Sequence, residues 1–478
     1  MPDQKQNFIG GTWVAGDAAA NINPSNTADI IGHYARANEA QALDAINAAK
    51  AAFPGWSRSA PLERHGILRR ASDEILARKD ELGQLLSREE GKTLAEGIGE
   101  TVRAAQIFDF FAGEALRLTG ESVPSVRPGV GAEVTREAVG VVGVITPWNF
   151  PIAIPAWKLA PALCYGNTAV FKPADLVPGS AWELVDILQR AGLPKGVLNL
   201  VMGRGSVVGQ AIVQSPDVDA LTFTGSQVTG ATLALDSAKL MRKSQMEMGG
   251  KNPFIVLADA DLDVAVDCVT QGAFFSTGQR CTASSRIIVE DAIHDKFVAT
   301  LSERINALTV GDALDSATQI GPVVDASQLA QNEGYIQIGQ SEGAHLITGG
   351  ERLTRSTEGF FQRPALFTDC TNDMRIAREE IFGPVAAVIR VADYDAALDV
   401  ANDTYFGLSA GIATTSLKHA THFKRNAEAG MVMVNVPTAG VDFHVPFGGR
   451  KASSFGPREQ GRYAAEFYTT VKTAYTLA

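Results

Sequence analysis

The chain has 478 residues, of which 45% are hydrophobic and 20% are charged, a composition typical of a globular protein and too apolar for a disordered one. With 42 Lys and Arg against 53 Asp and Glu, the net charge is −11, which disfavours nucleic acid and anionic membranes as partners. A chain of this length predicts about three domains.

The first predicted elements are helices. Over residues 38–117, apolar side chains recur every three or four positions, as in Ala42, Ala45 and Ile46, which is the period of an amphipathic helix. A cluster of turn-forming residues at 23–26 precedes this block.

From residue 139 onwards, short β-branched runs alternate with helical patterns, which predicts a parallel, doubly wound α/β sheet. Ligands of such sheets bind beyond the carboxyl ends of the strands. Strands are predicted at 139–145, 168–171, 197–202 and 220–224, and helices at 156–164, 179–191, 205–214 and after Ser226.

A second α/β unit is predicted from residue 253 to residue 450. Its strands are predicted at 253–257, 286–289, 385–391, 410–413 and 431–434, and its helices at 261–275, 292–308, 395–402 and 416–428. The tail 468–476 has a composition that favours a strand, and it can form an appendage with 135–138. An exposed strand of this kind invites pairing with another subunit.

The cysteines and the N-terminus predict a cytoplasmic protein. The four cysteines form no C-x-x-C pair, and so few for this length fit a reducing compartment. No apolar signal segment follows Met1, and no run reaches the roughly 18 apolar residues of a membrane helix. Because His419 and His422 have no third ligand nearby, no metal site is predicted.

Glycines at two strand ends are candidates for phosphate binding. Gly225 and Ser226 follow a predicted strand and open a helix, where backbone N–H groups can receive a pyrophosphate. Gly205 lies in a G-x-G-x-x-x-G run that is one residue longer than the dinucleotide fingerprint. For both, a plain turn is the alternative.

Lys172 and Asp175 follow the next strand along. A Lys at a strand end can bind a ribose or phosphate, and an acid close by can accept hydrogen bonds from ribose hydroxyls. The alternatives are a solvated lysine and an Asp that caps a turn or helix.

Three polar residues are candidates for catalysis. Cys281 lies in a polar loop beside Arg280, whose charge lowers a thiol pKa, although a lone Cys is more often inert. Glu247 lies between two methionines, where burial can raise its pKa and make it a general base, with a surface turn as the alternative. Asn149 ends a strand and can either stabilise an oxyanion or cap its own turn.

Taken together, these motifs resemble the aldehyde dehydrogenase superfamily almost from end to end. The matching stretches include Asn7–Trp13, Asn23-Pro24, 147–151, 166–168, 171–173, 223–226, 247–251, 278–281, 379–384 and 446–449. The resemblance implies a Rossmann-type cofactor domain at 1–118 and 139–248 and an α/β catalytic domain at 249–450. A small β appendage for oligomerisation at 119–138 and 451–478 would complete a homodimer or homotetramer.

The resemblance also implies the role of each site residue. Cys281 would be the nucleophile, Glu247 the base that activates water, Asn149 part of the oxyanion hole, and Lys158 the residue bordering cofactor and active site. NAD or NADP would be bound, with NAD favoured, although Asp175 stands where NAD-preferring members usually have Glu. The implied cofactor contacts are Thr146, Pro147, Trp148, Lys172, Asp175, Gly205, Gly225, Ser226, Gly249, Glu380 and Phe382.

The resemblance implies that an aldehyde is oxidised through a thiohemiacetal and a thioester on Cys281. Members that pass the acyl group to coenzyme A lack the acid at Glu247, so a free carboxylic acid is the expected product. Substrate contacts are implied at Phe150, Trp157, Arg280 and Phe443.

Arg280 stands where relatives that act on acidic aldehydes often have Arg, which can bind the remote carboxylate bidentately. Its alternative roles are tuning of Cys281 or pairing with a structural acid. The stretches 278–286 and 456–461 most resemble members that act on α-ketoglutarate semialdehyde, some of which have Arg where this chain has Trp157. Succinic semialdehyde or a simple aliphatic aldehyde is the alternative substrate, and a non-catalytic protein on the same fold is the alternative function.

Overall fold

The computed structural model describes residues 4–477; residues 1–3 and 478, the ends of two predicted domain ranges, lie outside the described part. The chain begins with a three-stranded sheet of Gln4–Lys5, Asp17–Asn23 and Asn26–Arg36, whose hairpin turns at Pro24-Ser25, within the predicted turn cluster. Capping boxes begin two of the helices that follow, at Asn38 and at Thr93. The helices predicted within 38–117 are Glu39–Trp56, Pro61–Ala77, Lys79–Glu90 and Leu94–Glu114.

The first large sheet has eight strands, of which five are parallel. Four of these five were predicted; the sequence missed the fifth, Lys243–Glu247, because it contains no β-branched residue. Its spatial order is Ser454–Phe455, Lys243–Glu247, Ala220–Thr224, Val141–Ile145, Thr168–Lys172, Leu198–Leu200, Asn7–Ile9 and Thr12–Val14. Chain order reverses between Val141–Ile145 and Ala220–Thr224, which is the topological switch point where ligands of doubly wound sheets bind.

Helices cover this sheet at the predicted places. They are Ala153–Cys164, Pro178–Arg190, Gln210–Gln214 and Gln227–Lys239. The predicted helix 205–214 begins as a π-helical turn, Gly205–Gly209, before it continues as Gln210–Gln214. Every residue of Ala153–Cys164 is buried, so this helix runs through the core and carries its one charged side chain, Lys158, out of reach of water.

The second large sheet has seven strands and confirms the second α/β unit. Its order is His345–Thr348, Ala365–Cys370, Val385–Val391, Ser284–Glu290, Asn252–Val256, Ser409–Ala413 and Met431–Val434. All neighbours are parallel except His345–Thr348. The accompanying helices are Leu262–Phe274, Asp291–Asn306, Ala326–Ser341, Tyr394–Asn402 and Leu417–Asn426.

Two parts of the second unit escape the sequence pattern. Helix Ala326–Ser341 is rich in Gln, Ser and Gly, so it lacks a clear apolar face, and it begins instead with the Asp325 side chain accepting from the Gln328 N–H. The strands His345–Thr348 and Ala365–Cys370 are separated by a polar loop, so they show no helix–strand alternation.

A further three-stranded sheet, called the third sheet because it follows the two large ones, is antiparallel and joins distant parts of the chain. Strand Val130–Ala138 pairs with Glu121–Pro124 on one side and with the tail strand Thr469–Leu477 on the other. Residues 454–455, which the predicted ranges assign to this appendage, pair instead with Lys243–Glu247 at the edge of the first sheet. Within residues 4–477, no helix is long and apolar enough to cross a membrane.

Candidate active site

Four strand ends of the first sheet bring the predicted residues together. Val141–Ile145 leads into 146–150, Ala220–Thr224 into Gly225, and Thr168–Lys172 and Lys243–Glu247 end on Lys172 and Glu247 themselves. Because these strands are parallel, their carboxyl ends lie at one edge of the sheet. The second sheet begins directly after this edge, with Asn252.

The loop before Cys281 turns through a left-handed backbone. Ser276, Thr277 and Gly278 have φ values of 50°, 57° and 65°, a conformation that costs non-glycine residues energy. A side chain at Gly278 would collide with the carbonyl of Gly383, so only glycine fits there. Glu96 holds this turn, because its Oε1 accepts from the N–H and hydroxyl of Ser276, each at 2.8 Å.

Asn252 fixes the other side of the nucleophile. Its Nδ2 donates to the carbonyls of Cys281 at 2.8 Å and Ala283 at 3.0 Å, and its Oδ1 accepts from the Ser409 N–H. The thiol itself is half-buried. Burial, followed by the charges of Glu247 and Glu380, raises the pKa of Cys281 above the ordinary value. A base must therefore remove the proton before the sulfur can attack.

Asn149 is buried and points toward the Cys281 loop. Its Nδ2 donates to the Gln279 carbonyl at 3.0 Å, which leaves the second N–H of the amide free. The backbone carbonyl of Asn149 accepts from Lys92 Nζ at 2.7 Å. Lys92 also contacts Glu100 at 2.7 Å, so a buried ion pair supports the residue predicted to stabilise an oxyanion.

Glu247 is buried at the end of its strand. Ser454 donates a hydrogen bond to it, and Gly448 lies so close that an added side chain would reach its Oε2. Burial, together with the charge of Glu459, raises the pKa of Glu247 well above its ordinary value. A carboxyl group in this state is a suitable general base near neutral pH.

Lys158 has a partner that sequence reasoning missed. Its Nζ donates to Thr222 Oγ1 at 2.7 Å and forms a buried ion pair with Glu459. Burial lowers the pKa of Lys158 and raises that of Glu459, so burial favours the neutral form of each. The two residues are 301 positions apart in sequence, and only the tertiary fold brings them together.

Two of the eleven predicted cofactor residues, Lys172 and Gly205, line a separate cavity of about 330 Å³, and the other nine are not among its lining residues. Lys172, Gly205 and Gly209 line it together with Phe223 and Thr229. Lys172 is buried and donates to the Pro173 carbonyl at 2.7 Å, while the exposed Asp175 lies 3.7 Å away. The Lys172 ammonium group has three N–H donors, so it can donate to a further acceptor besides the Pro173 carbonyl.

At the topological switch point of the first large sheet, two buried hydroxyl groups have no hydrogen-bond partner in the protein and suit a polar ligand such as a dinucleotide. Thr146 Oγ1 and Thr224 Oγ1 are buried without a hydrogen-bond partner, and they end the two strands between which chain order reverses. Ser226 caps the helix Gln227–Lys239 immediately afterwards. A buried polar group without a partner is costly, so both hydroxyls are better satisfied with a ligand present.

The remaining predicted cofactor residues cluster around Glu380. Its Oε1 accepts from the Gly250 N–H at 2.9 Å, and a side chain at Gly249 would collide with the carboxylate. Burial raises the pKa of Glu380 to about 7. Phe382 has a left-handed backbone with φ of 60° and packs edge-on against Trp148, which follows Pro147.

A second cavity of about 360 Å³ opens onto Cys281. The predicted substrate residues Phe150, Trp157 and Arg280 line it, but Phe443 is not among its lining residues and packs against Phe110 instead. The prediction missed Phe447, which stacks on Trp157 with ring centroids 5.3 Å apart. It also missed two cations in this cavity, Lys92 and Arg103, which lie in the N-terminal helical block.

Arg280 is paired with an acid, one of the alternatives left open by the sequence. Its Nη2 lies 2.9 Å from Glu96 Oε1 and 2.7 Å from Ser276 Oγ. Burial alone would raise the pKa of Glu96, but the charges of Arg280 and Lys92 hold it below the ordinary value.

His419 and His422 contact an aromatic residue. The ring of Tyr394 stacks on His419, and its hydroxyl is 2.7 Å from His422 Nδ1. Within residues 4–477, no group of three or more His, Cys, Asp or Glu is placed to hold a metal ion.

Residues 13–474 match the model of the aldehyde dehydrogenase family. The chain belongs to this family. It is similar to the α-ketoglutaric semialdehyde dehydrogenase of Bacillus subtilis, with 44% identity over 98% of this chain and 97% of that protein. It is also 44% identical to the α-ketoglutarate semialdehyde dehydrogenase of Haloferax volcanii, over 99% of both chains.

Solved structures show the same fold for this aldehyde dehydrogenase. The betaine aldehyde dehydrogenase of Staphylococcus aureus in complex with NAD⁺ superimposes with a TM-score of 0.97 at 33% identity, over 99% of this chain and 95% of that chain. The α/β fold class and the family predicted from the motifs are thus confirmed, and an enzyme is established over the non-catalytic alternative.

Proposed function

We propose that this aldehyde dehydrogenase oxidises α-ketoglutarate semialdehyde to 2-oxoglutarate. The observation that carries the proposal is the cavity at Cys281, which is lined by three cations, Lys92, Arg103 and Arg280, and by aromatic rings that include Trp157. A short acidic aldehyde matches this combination, because cations attract its carboxylate and the rings enclose its carbon chain. The names of the two relatives at 44% identity support the same substrate.

The first chemical step belongs to Cys281. Its sulfur forms a bond to the aldehyde carbon, and the carbonyl oxygen becomes an oxyanion. The free N–H of the Asn149 amide and the backbone N–H of Cys281 stabilise that charge, and a single donor of this kind contributes about 2.7–4 kcal/mol. The thiol loses its proton to solvent as the sulfur attacks, and Glu247 acts as the base only in the hydrolysis that follows.

Loss of hydride from the thiohemiacetal to a bound nicotinamide cofactor would leave a thioester on Cys281. The next step carried out by the chain's own residues is hydrolysis of this thioester. Glu247 removes a proton from water, the water oxygen bonds to the acyl carbon, and the carbon–sulfur bond breaks. The released acid leaves Cys281 ready for another aldehyde. The Lys158–Glu459 pair lies close enough to Glu247 for both charges to act on its carboxyl group.

NAD or NADP is the proposed cofactor and, when bound, supplies the hydride acceptor. Lys172 and Asp175 would hold its adenosine ribose, Gly205, Gly225 and Ser226 its phosphates, and Glu380 its nicotinamide ribose. Thr146, Pro147, Trp148, Gly249 and Phe382 would complete the site. Asp175 favours NAD because its charge repels a 2′-phosphate, but its short side chain leaves room for NADP.

The charge of the cavity distinguishes between substrate classes. A cationic aldehyde, such as that in the name of the Staphylococcus aureus enzyme, would face the positive charge of Arg103. Succinic semialdehyde, which is also acidic and one carbon shorter, is the second candidate for the same reason.

The test is a steady-state comparison of α-ketoglutarate semialdehyde, succinic semialdehyde and pentanal, each with NAD and with NADP. We expect kcat/KM to be at least ten-fold higher for the acids, a difference of about 1.4 kcal/mol in the transition state. A preference for pentanal would refute the acidic substrate while leaving the Cys281 chemistry intact.

We further propose the predicted domain ranges, 1–118 with 139–248, 249–450, and 119–138 with 451–478, and assembly through the third sheet into a homodimer or homotetramer. A cytoplasmic location is proposed from the small number of cysteines for this length and from the acidic composition.

A further inference from the structure

Arg103 lies on the face of helix Leu94–Glu114 that borders the Cys281 cavity. Glu96, Gly99, Glu100 and Arg103 line the cavity from this helix at spacings of three and four, which place them on one face. The sequence pattern does not separate Arg103 from the other charged residues of this amphipathic helix.

The three cations of the cavity differ in their partners. Lys92 is neutralised by Glu100 at 2.7 Å and Arg280 by Glu96 at 2.9 Å. Among the ion pairs of residues 4–477, none involves Arg103. Its Nη2 donates to the Gln460 Oε1 at 3.3 Å, and its Nε, like that of Arg280, is buried without an acceptor, so the absence of an acid partner is what sets Arg103 apart.

Two acids, Glu100 and Asp442, lie near enough to favour the charged form of Arg103, but neither forms an ion pair with it. Glu100 Oε2 is occupied by Lys92, and its Oε1 by the N–H groups of Ile152 and Ala153 at 3.0 and 3.1 Å. Asp442 is exposed to solvent and makes no ion pair with Arg103 among the described residues. Burial lowers the pKa of Arg103, which reflects the cost of keeping this charge away from water.

We propose that Arg103, and not Arg280, is the residue that binds the remote carboxylate of the substrate, an inference that rests on the proposed acidic substrate. A guanidinium group with a free Nε–H and free Nη–H donors presents the planar fork that a carboxylate accepts bidentately. Gln460 fixes one end of the fork, so that its orientation is set before the substrate enters. The substrate then supplies the counter-charge that the protein lacks at this position.

Arg280 is assigned a positioning role. With both Glu96 and Ser276 as partners, it ties the left-handed turn before Cys281 to the helix that carries Arg103. Its removal should therefore slow the oxidation of every aldehyde alike, because it displaces the nucleophile and not the substrate carboxylate.

The test compares Arg103→Gln, Arg103→Lys and Arg280→Gln, with α-ketoglutarate semialdehyde and pentanal as substrates at saturating NAD. For Arg103→Gln, the ratio of kcat/KM between the acidic and the neutral aldehyde should fall at least ten-fold, mostly through KM. Arg103→Lys keeps the charge but not the fork and should lower the ratio about three-fold. For Arg280→Gln, kcat should fall for both aldehydes and the ratio should stay within two-fold of the wild type. An unchanged ratio in Arg103→Gln, or a ten-fold fall in Arg280→Gln, would overturn the assignment.

A binding measurement separates this inference from the proposed substrate. Glutarate has the carboxylate but no aldehyde, so its inhibition constant reports the anchor without any turnover, and it should rise at least ten-fold in Arg103→Gln. A wild-type enzyme that prefers pentanal refutes the substrate, whereas acid preference with unchanged glutarate inhibition in Arg103→Gln refutes the anchor alone. If Arg103→Gln does not fold, the Arg103→Lys ratio and its glutarate inhibition decide, and wild-type values for both refute the anchor.

Discussion

At the scale of single residues, burial gives Glu247 its proposed role. Its carboxyl group lies at a strand end where Glu459 adds a like charge, so its pKa is raised well above the ordinary value. A general base works only when deprotonated. The rate of thioester hydrolysis should therefore fall as pH drops through this raised pKa, at a higher pH than an exposed Glu would require.

Replacing Glu247 by Gln should remove the base while keeping the size of the side chain. We expect steady-state kcat to fall about 10²- to 10⁴-fold and to lose this pH dependence. A stopped-flow experiment should still show a burst of reduced cofactor, because Cys281 forms its thioester before water is needed. Glu303→Gln, an exposed change on helix Asp291–Asn306, is the control. A missing burst with unchanged cofactor binding would argue that Glu247 acts before hydrolysis.

At the scale of elements, Glu96 links helix Leu94–Glu114 to the Cys281 loop. Its Oε2 closes the capping box with Thr93, and its Oε1 holds both Ser276 and Arg280. One carboxylate thus stabilises a helix start and a left-handed turn that would otherwise be strained.

Glu96→Ala should lower the free energy of unfolding by about 2 kcal/mol, less than for a fully buried pair because both side chains are partly exposed. It should also lower kcat for acidic and neutral aldehydes equally. Because the pKa of Glu96 is held below the ordinary 4.5, the stabilisation is present above pH 4.5 and lost as pH falls through the lowered value. Urea unfolding of this variant and of Glu81→Ala, an exposed pair with Arg78, tests this. Equal effects in both variants would contradict it, since the surface pair is worth at most about 1 kcal/mol.

At the scale of the whole molecule, the third sheet leaves apolar side chains uncovered. Val471, Tyr475 and Leu477 are more than half exposed on the strand Thr469–Leu477, whose other edge has no partner strand in the described chain. Such an edge is a site for pairing with another subunit.

The double variant Val471→Lys with Tyr475→Lys should therefore reduce the oligomer to a smaller species. Light scattering coupled to size exclusion would measure the mass. Leu62→Lys, an exposed apolar position on helix Pro61–Ala77, should leave the mass unchanged. A wild-type protein that is already monomeric would refute the proposed assembly.

The sequence by itself determined the family, the fold class and the residues at the strand ends, because each motif is local. Asn149 and Gly225 follow strands whose β-branched pattern is readable without any tertiary contact. Glu247 was found through its motif alone, because its own strand, Lys243–Glu247, has no β-branched residue. Only the tertiary structure decided the partners of the charged groups. Arg280 meets Glu96 across 184 residues and Lys158 meets Glu459 across 301, while Arg103 meets no acid among the described residues. Pairing of charges depends on distances in space, which the spacing of residues along the chain does not contain.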